Sequence, residues 1–348
     1  MSFKYRVTLK PQEPFFFGGE HTFGRDDTRD EGVRYSATST YFPQQSAVLG
    51  MIRKTFLIQN HNLTMHLKGE WVDSRGGRRG NDSNYTEAIR MMGGDSFSYE
   101  KESDLGILES ISPLFITKDS LDYVVDSKDN EYNTKSLNSK MMINGKVQET
   151  FILDGFDAKE YKDEYFIAKD RSSLSFSDIF ESVQTVGIKK SQDTQSDEDG
   201  FFQKSSFLLK DKASFTFFME LSEEIAWRDA YVTLGADQSL FQLTLTPTKE
   251  SFNSIADDLF EPKTTDRVIL HSETLVDEKV YANALFVLGK RESYRQLKNQ
   301  NGQKSKRYYL LERGSVIYTN ELQKLTEALT QAHLQKVGIN IFTPLKGL

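Results

Sequence analysis

No cysteine occurs among the 348 residues. Disulfides, thiolate metal sites, iron–sulfur clusters and a cysteine nucleophile are therefore excluded. Histidine is almost as scarce, with five side chains: His21, His61, His66, His271 and His333. His61 and His66 stand five apart, on different sides of a helix and on opposite faces of a strand, which makes them a poor metal pair. None of the 22 glycines lies two residues from another, so the GxGxxG turn that holds dinucleotides is absent. Gly19 and Gly24 have the spacing of a phosphate-binding loop, but Arg25-Asp26 follows where Lys-Ser/Thr must hold phosphate and magnesium. There is no HExxH, no GxSxG and no EF-hand loop. Nowhere do 18 apolar residues run together, and the alternating MSFKYRVTLKP start is unlike a signal peptide. These absences predict a cytoplasmic protein with no membrane partner, no cofactor, no metal and no enzymatic activity.

Aromatic residues are plentiful instead, with 25 Phe and 15 Tyr. Together with 37% hydrophobic residues they supply a real core, and the length suggests two domains. A net charge of -7 argues against binding nucleic acid by bulk charge. It leaves room for local basic surfaces. Between Gly289 and Arg313 eight basic residues face two acids, a local +6, and Arg75-Gly-Gly-Arg78-Arg79-Gly80 is an arginine-dense loop. The acidic pairs Asp26-Asp27 and Asp257-Asp258 and the run Asp197-Glu198-Asp199 read as solvated loops.

Phe3, Tyr5, Val7 and Leu9 alternate with polar residues, the period of a half-buried strand. Residues 11–44, broken by proline and glycine, read as loop. Ser46 reads as the cap of a helix whose apolar face is Val48, Met51, Ile52, Phe56 and Leu57. Residues 60–180 read as an insertion. Val186-Gly187-Ile188 and Phe201–Leu209 read as the arms of a long hairpin over about 185–210, with Lys189 and Lys190 at its tip. Phe201 and Phe202 are adjacent, so one faces inward and the other outward. A strand over 214–221, a helix over 223–234 and a strand over 239–246 follow. The predicted order is that of a ferredoxin-like domain, β-α-β-β-α-β. A second, degenerate copy is predicted from four β segments, a helix at Asn320–Gln335 and a last strand at Val337–Phe342. The expected fold is α+β, with two ferredoxin-like, RRM-like domains over 1–248 and 249–348.

Four segments resemble the RAMP superfamily of CRISPR-associated proteins, of the kind found in type III-B complexes. They are Pro14-Phe15-Phe16-Phe17-Gly18-Gly19 with Phe23-Gly24, and Tyr41-Phe42-Pro43-Gln44-Gln45-Ser46 leading to Gly50-Met51-Ile52-Arg53. The third is Val186-Gly187-Ile188 with Asp199-Gly200-Phe201-Phe202; the last is Leu234-Gly235-Ala236-Asp237, with Gly314-Ser315-Val316-Ile317-Tyr318 later. Ala236 stands where the family tends to have glycine, and the C-terminal glycine-rich turn is reduced to Gly338-Ile339-Asn340. The resemblance implies a non-catalytic subunit that grips the 5′ handle of the CRISPR RNA and joins a large polymerase-like subunit to a backbone RAMP subunit. The RNA-binding residues it implies, beside the stacking and charge arguments, are Gly18, Gly19, His21, Arg25, Arg34, Ser46, Arg53, Lys54, Lys189, Lys190, Phe201, Phe202 and Asn340. Two other readings stand beside it. One is a metal-independent RAMP endoribonuclease with His21 as general base; the other is the equivalent type III-D handle-binding subunit.

Overall fold

The computed structural model describes residues 2–19, 21–24, 34–60, 83–129, 132–143, 146–154, 165–190, 196–295 and 305–348. The alternation at the start of the chain becomes the strand Phe3–Pro11, with Tyr5, Val7 and Leu9 buried and the intervening Arg6 and Thr8 half-buried. This strand lies inside a nine-stranded sheet, antiparallel to Ala213–Leu221 on one side and Ser239–Pro247 on the other. Val7 stands opposite both Phe217 and Leu245, so one face of the sheet is continuously apolar. The helix Gln45–Gln59 lays Val48, Leu49, Ile52 and Phe56 on that face, all at most 1% exposed. Each such side chain contributes roughly 1.5–3 kcal/mol by leaving water.

Ser46 lies within this helix and does not cap it. Gln44 is the cap residue and its side chain makes no capping bond. The N–H of Gln45 instead donates to the carboxylate of Glu273, far along the chain. The helix expected over 223–234 is also corrected, because Asp229–Leu234 is the edge strand of the central sheet. Ala230, Val232 and Leu234 are buried while Asp229 and Tyr231 are exposed, a period of two that no helix shows.

Two further sequence expectations change. Within 11–44, His21–Gly24 and Arg34–Thr38 pair as an antiparallel hairpin. Within 60–180, Leu108–Ile111, Phe115–Lys118, Leu121–Val125, Tyr165–Ala168 and Ser173–Ser175 extend the central sheet rather than standing apart from it. Tight turns make this possible in a polar sequence: Asp119, Ser120 and Arg171 all take positive φ, where short or exposed side chains are tolerated.

The long hairpin is present and longer than expected, with arms Phe180–Lys190 and Ser196–Leu209. Its second arm continues into Arg34–Thr38 by parallel pairing, which gives a separate four-stranded sheet ending at His21–Gly24. In the C-terminal hundred residues the strands Arg267–Leu270, Phe286–Leu288, Val316–Tyr318 and Phe342–Leu345 form a second antiparallel sheet. Taken in chain order, their spatial order is fourth, first, third, second, with the helices Glu278–Ala282 and Leu322–Leu329 in the two crossovers. The helix expected over 320–335 breaks at Thr330, and the last strand starts at Phe342 because Gly338 and Asn340 take positive φ. Among the described residues no helix is long and apolar enough to cross a membrane.

Candidate nucleic-acid interface

Two of the four segments singled out in the sequence meet at the base of the hairpin sheet, whose arms carry the third. After the first strand, Phe15 exchanges backbone bonds with Phe207 of the second hairpin arm, at 2.8 and 3.0 Å. Phe16 presents its carbonyl to the N–H of Ala236 at 3.0 Å, which docks the Gly235 turn on the same loop. Gly235 holds φ +94, and a Cβ there would lie 2.4 Å from the Phe16 carbonyl oxygen, so glycine is required on both counts. Lys204 closes the junction: it ion-pairs with Asp237 and lies 5.0 Å from the centre of the Phe16 ring.

Gly18 and Gly19 form the outer part of this junction. The Gly18 carbonyl accepts the N–H of Thr40 at 3.0 Å, and Ser39 Oγ accepts the N–H of Phe17 at 2.9 Å. Neither the Gly18 nor the Gly19 N–H donates to another described residue. Gly18 holds φ +79 with nothing within 4 Å of where a Cβ would be. Successive main-chain donors of this kind are groups that can hold an anion.

On the hairpin itself Gly187 faces Phe202 across the pair of strands. A Cβ on Gly187 would meet the Phe202 ring at 2.3 Å, so the ring lies over the glycine while remaining 39% exposed. Phe202 also pairs in register with Tyr35. Phe202 faces outward; the side chain of Phe201 lies outside the described residues. His21 stands opposite Ala37 and Arg34 opposite Gly24 on the far strands of this sheet, while Lys190 pairs with Ser196 at its other end, next to Lys189. The side chains of His21, Arg34, Lys189 and Lys190 are outside the described residues, as is Arg25 altogether. Lys204, beside the Phe202 segment, is the residue left out of the predicted RNA-binding set. Its signal was its position two residues after Phe202, on the same face of the strand.

The remaining candidates do not join this face. Lys54 lies 3.5 Å from Thr233 Oγ1 on the edge strand of the central sheet. Ser46 lies inside the first helix, beside buried Tyr99. Arg53 is half-buried, and its guanidinium donates to three carbonyls, those of Met92, Asp95 and Asp104, so it ties the first helix to the segment after it. Burial pulls its pKa below the ordinary value without making it neutral. Arg53→Met should therefore destabilise the chain by about 2 kcal/mol, by stranding these carbonyls. The check is a urea melt; an unchanged midpoint would show that water replaces the guanidinium at no cost.

Asn340 is corrected outright. It is fully buried at φ +58, with Oδ1 accepting the N–H of Leu275 at 2.7 Å and Nδ2 donating to the Leu329 carbonyl at 3.0 Å. It holds the interior of the C-terminal region and is inaccessible to RNA.

No family model matches the sequence, and no curated protein matches it. Solved structures do resemble it in fold. A chain of the type III-B Cmr-beta complex bound to cognate target RNA superposes with a TM-score of 0.52 and 15% identity, covering 97% of this chain and 96% of that one. The same complex bound to cognate target RNA and AMPPnP gives 0.50 and 14%, with the same coverage. The fold of this chain, end to end, is one found in subunits of type III CRISPR effector complexes.

Proposed function

We propose that the chain is a non-catalytic RNA-binding subunit of a type III-B effector complex, equivalent to the third Cmr subunit. In this role it grips the 5′ handle of the CRISPR RNA and bridges the large polymerase-like subunit to the backbone. Both halves are read as ferredoxin-like RAMP domains. The fourth-first-third-second strand order of the C-terminal sheet supports that reading for one half, and the placement of Phe3–Pro11 between Ala213–Leu221 and Ser239–Pro247 supports it for the other. The observation that carries the function is the Gly18–Gly19 turn. Two N–H groups without a partner among the described residues, that of Gly18 beside open space, stand at the foot of a hairpin that presents Phe202, which suits a phosphate followed by an unstacked base. Contacts of this kind need little net charge, which fits a chain at -7.

Purification with and without the neighbouring complex subunits tests the proposal. RNA should accompany the assembled sample, and Phe202→Ala should lower its retention while leaving the melting temperature of the free chain within a degree or so. The same purified chain, given precursor CRISPR RNA alone, should leave it intact. Site-specific cleavage that vanishes in His21→Ala would replace this reading with the endoribonuclease.

A further inference from the structure

A second positively charged surface lies in the C-terminal region, on the strands Arg291–Tyr294 and Tyr308–Leu311. Their pairing sets Tyr294 opposite Tyr308 and Ser293 opposite Tyr309. Tyr294 and Tyr308 pack inward against Tyr99, at ring distances of 5.9 and 4.8 Å. Ser293 and Tyr309 therefore occupy the outer face, where Tyr309 is 38% exposed. Arg291 places its guanidinium 4.7 Å from the centre of the Tyr309 ring. Arg295 and Arg307, directly continuing the two strands, are both exposed.

The neighbouring acids are engaged with other cations. Glu292 lies 3.8 Å from Lys290, Glu312 pairs with Lys128 at 3.0 Å, and Glu100 pairs with Lys306 at 2.7 Å. Among the described residues, none of the three arginines has an acid within ion-pairing distance. The result is three arginines without an acid partner among the described residues on one face, one of them over an exposed aromatic ring, in an otherwise acidic protein.

We propose that this face binds single-stranded RNA without sequence preference, separately from the handle-binding face. Guanidinium groups match phosphate oxygens bidentately, which ammonium groups do not. Arg291 and Arg295, four residues apart on one strand, are spread over ~13 Å at about 3.3 Å per residue, long enough to follow a backbone rather than a single phosphate. Tyr309 adds a surface for an unstacked base, and every base has a face to offer it. An acidic peptide would use the charges and leave the ring idle, and a duplex would keep its bases from the ring.

The test uses the full-length chain and a fluorescein-labelled oligouridine that lacks any handle sequence, titrated by anisotropy at several salt concentrations. Arg291→Gln, Arg295→Gln and Arg307→Gln combined should weaken binding at least tenfold and make the log K against log salt slope shallower by ~2, at about 0.7 per phosphate lost. Tyr309→Leu should weaken binding about tenfold with the slope unchanged. The substituted side chains are exposed, so melting temperatures should hold. Absence of oligouridine binding by the unsubstituted chain, or equal binding by the triple variant, overturns the proposal. So does a triple variant that keeps its RNA affinity but loses a protein subunit from the assembled complex. Because the probe carries no handle, either result leaves the handle-binding reading untouched.

Discussion

Gly19→Ala is expected to destabilise the chain by about 3 kcal/mol or more, as overpacking against rigid backbone does, whereas Gly18→Ala should cost only about 1–2 kcal/mol. The two glycines are adjacent and their sequence contexts are nearly the same, yet they serve different ends. A Cβ on Gly19 would lie 2.0 Å from the carbonyl oxygen of Thr38, a backbone atom that cannot swing aside. Thr38 is the last residue of the strand that pairs in parallel with the second hairpin arm, opposite Ser205. Any displacement there propagates into the hairpin sheet. Gly18 meets nothing within 4 Å and is constrained only by its φ of +79. Gly19→Ala should therefore lower both the melting temperature and guide retention. Gly18→Ala should keep the sheet, lower the melting temperature less than Gly19→Ala does, and impair guide retention through its shifted main-chain donors. If Gly18→Ala retains guide RNA like the unsubstituted chain, the turn is a packing device and the phosphate lies elsewhere.

The sequence made the strands legible wherever a side chain alternated cleanly, as at Tyr5, Val7 and Leu9, and wherever an apolar stripe recurred on one helix face, as at Val48, Ile52 and Phe56. It misled at Asp229–Leu234, where Glu223, Glu224 and Arg228 just upstream suggest a charged helix face. Glu224 and Arg228 do pair across four residues, at 3.0 Å, but the chain is a bend there and then a strand. Local charge spacing is a weak force beside pairing with Ser239–Pro247. Residues 108–175 were opaque for a related reason. The strands that this span adds to the central sheet are three to five residues long, too short for a period to emerge, and they gain their place from long-range partners such as Asp122, which holds Arg6 of the first strand.

Of the candidate site, backbone features survived better than charges. Gly18, Gly187 and Gly235 are glycines for reasons the structure displays, Gly18 and Gly235 at the hairpin base and Gly187 on the hairpin arm itself. Arg53 and Asn340 looked equally suited to RNA, but a polar side chain in a sequence does not reveal whether its partner is a ligand or a carbonyl of its own chain. Arg313 repeats the lesson. Counted among the basic residues of its region, it is buried, donates to the Leu114 carbonyl at 2.7 Å, and lies 4.6 Å from the Phe42 ring centre.

The buried end of the first helix leads to the other large expected effect, a stability profile shaped by two groups of opposite slope. Glu273 receives the Gln45 N–H, but its Oε2 is fully buried without a partner. Burial pushes its pKa up to about 7, against the pull of Arg313 and with the help of Glu292. A carboxyl group that holds its proton more tightly folded than unfolded stabilises the fold at low pH, and that contribution is lost as pH rises from about 4.5 through 7. The loss is worth about 3 kcal/mol. His271, two residues away, is buried with Nε2 bonded to Thr343 Oγ1 at 2.7 Å and Nδ1 unpartnered. Burial pushes its pKa down to about 4, so its contribution is present above 6.5 and is lost as pH falls through 4. Between about 4.5 and 6.5 the two slopes oppose each other, and the unsubstituted chain should show little pH dependence from this pair. Glu273→Gln removes one slope. The variant should be about 3 kcal/mol more stable than the unsubstituted chain at pH values above 7, and should lose stability steadily on acidification from 6.5 to 4. Urea melts of both proteins across this range read the outcome directly. A variant less stable than its parent above pH 7 would mean that the pull of Arg313 outweighs burial, so that the fold favours the charged carboxylate and the charge at the helix end supports it.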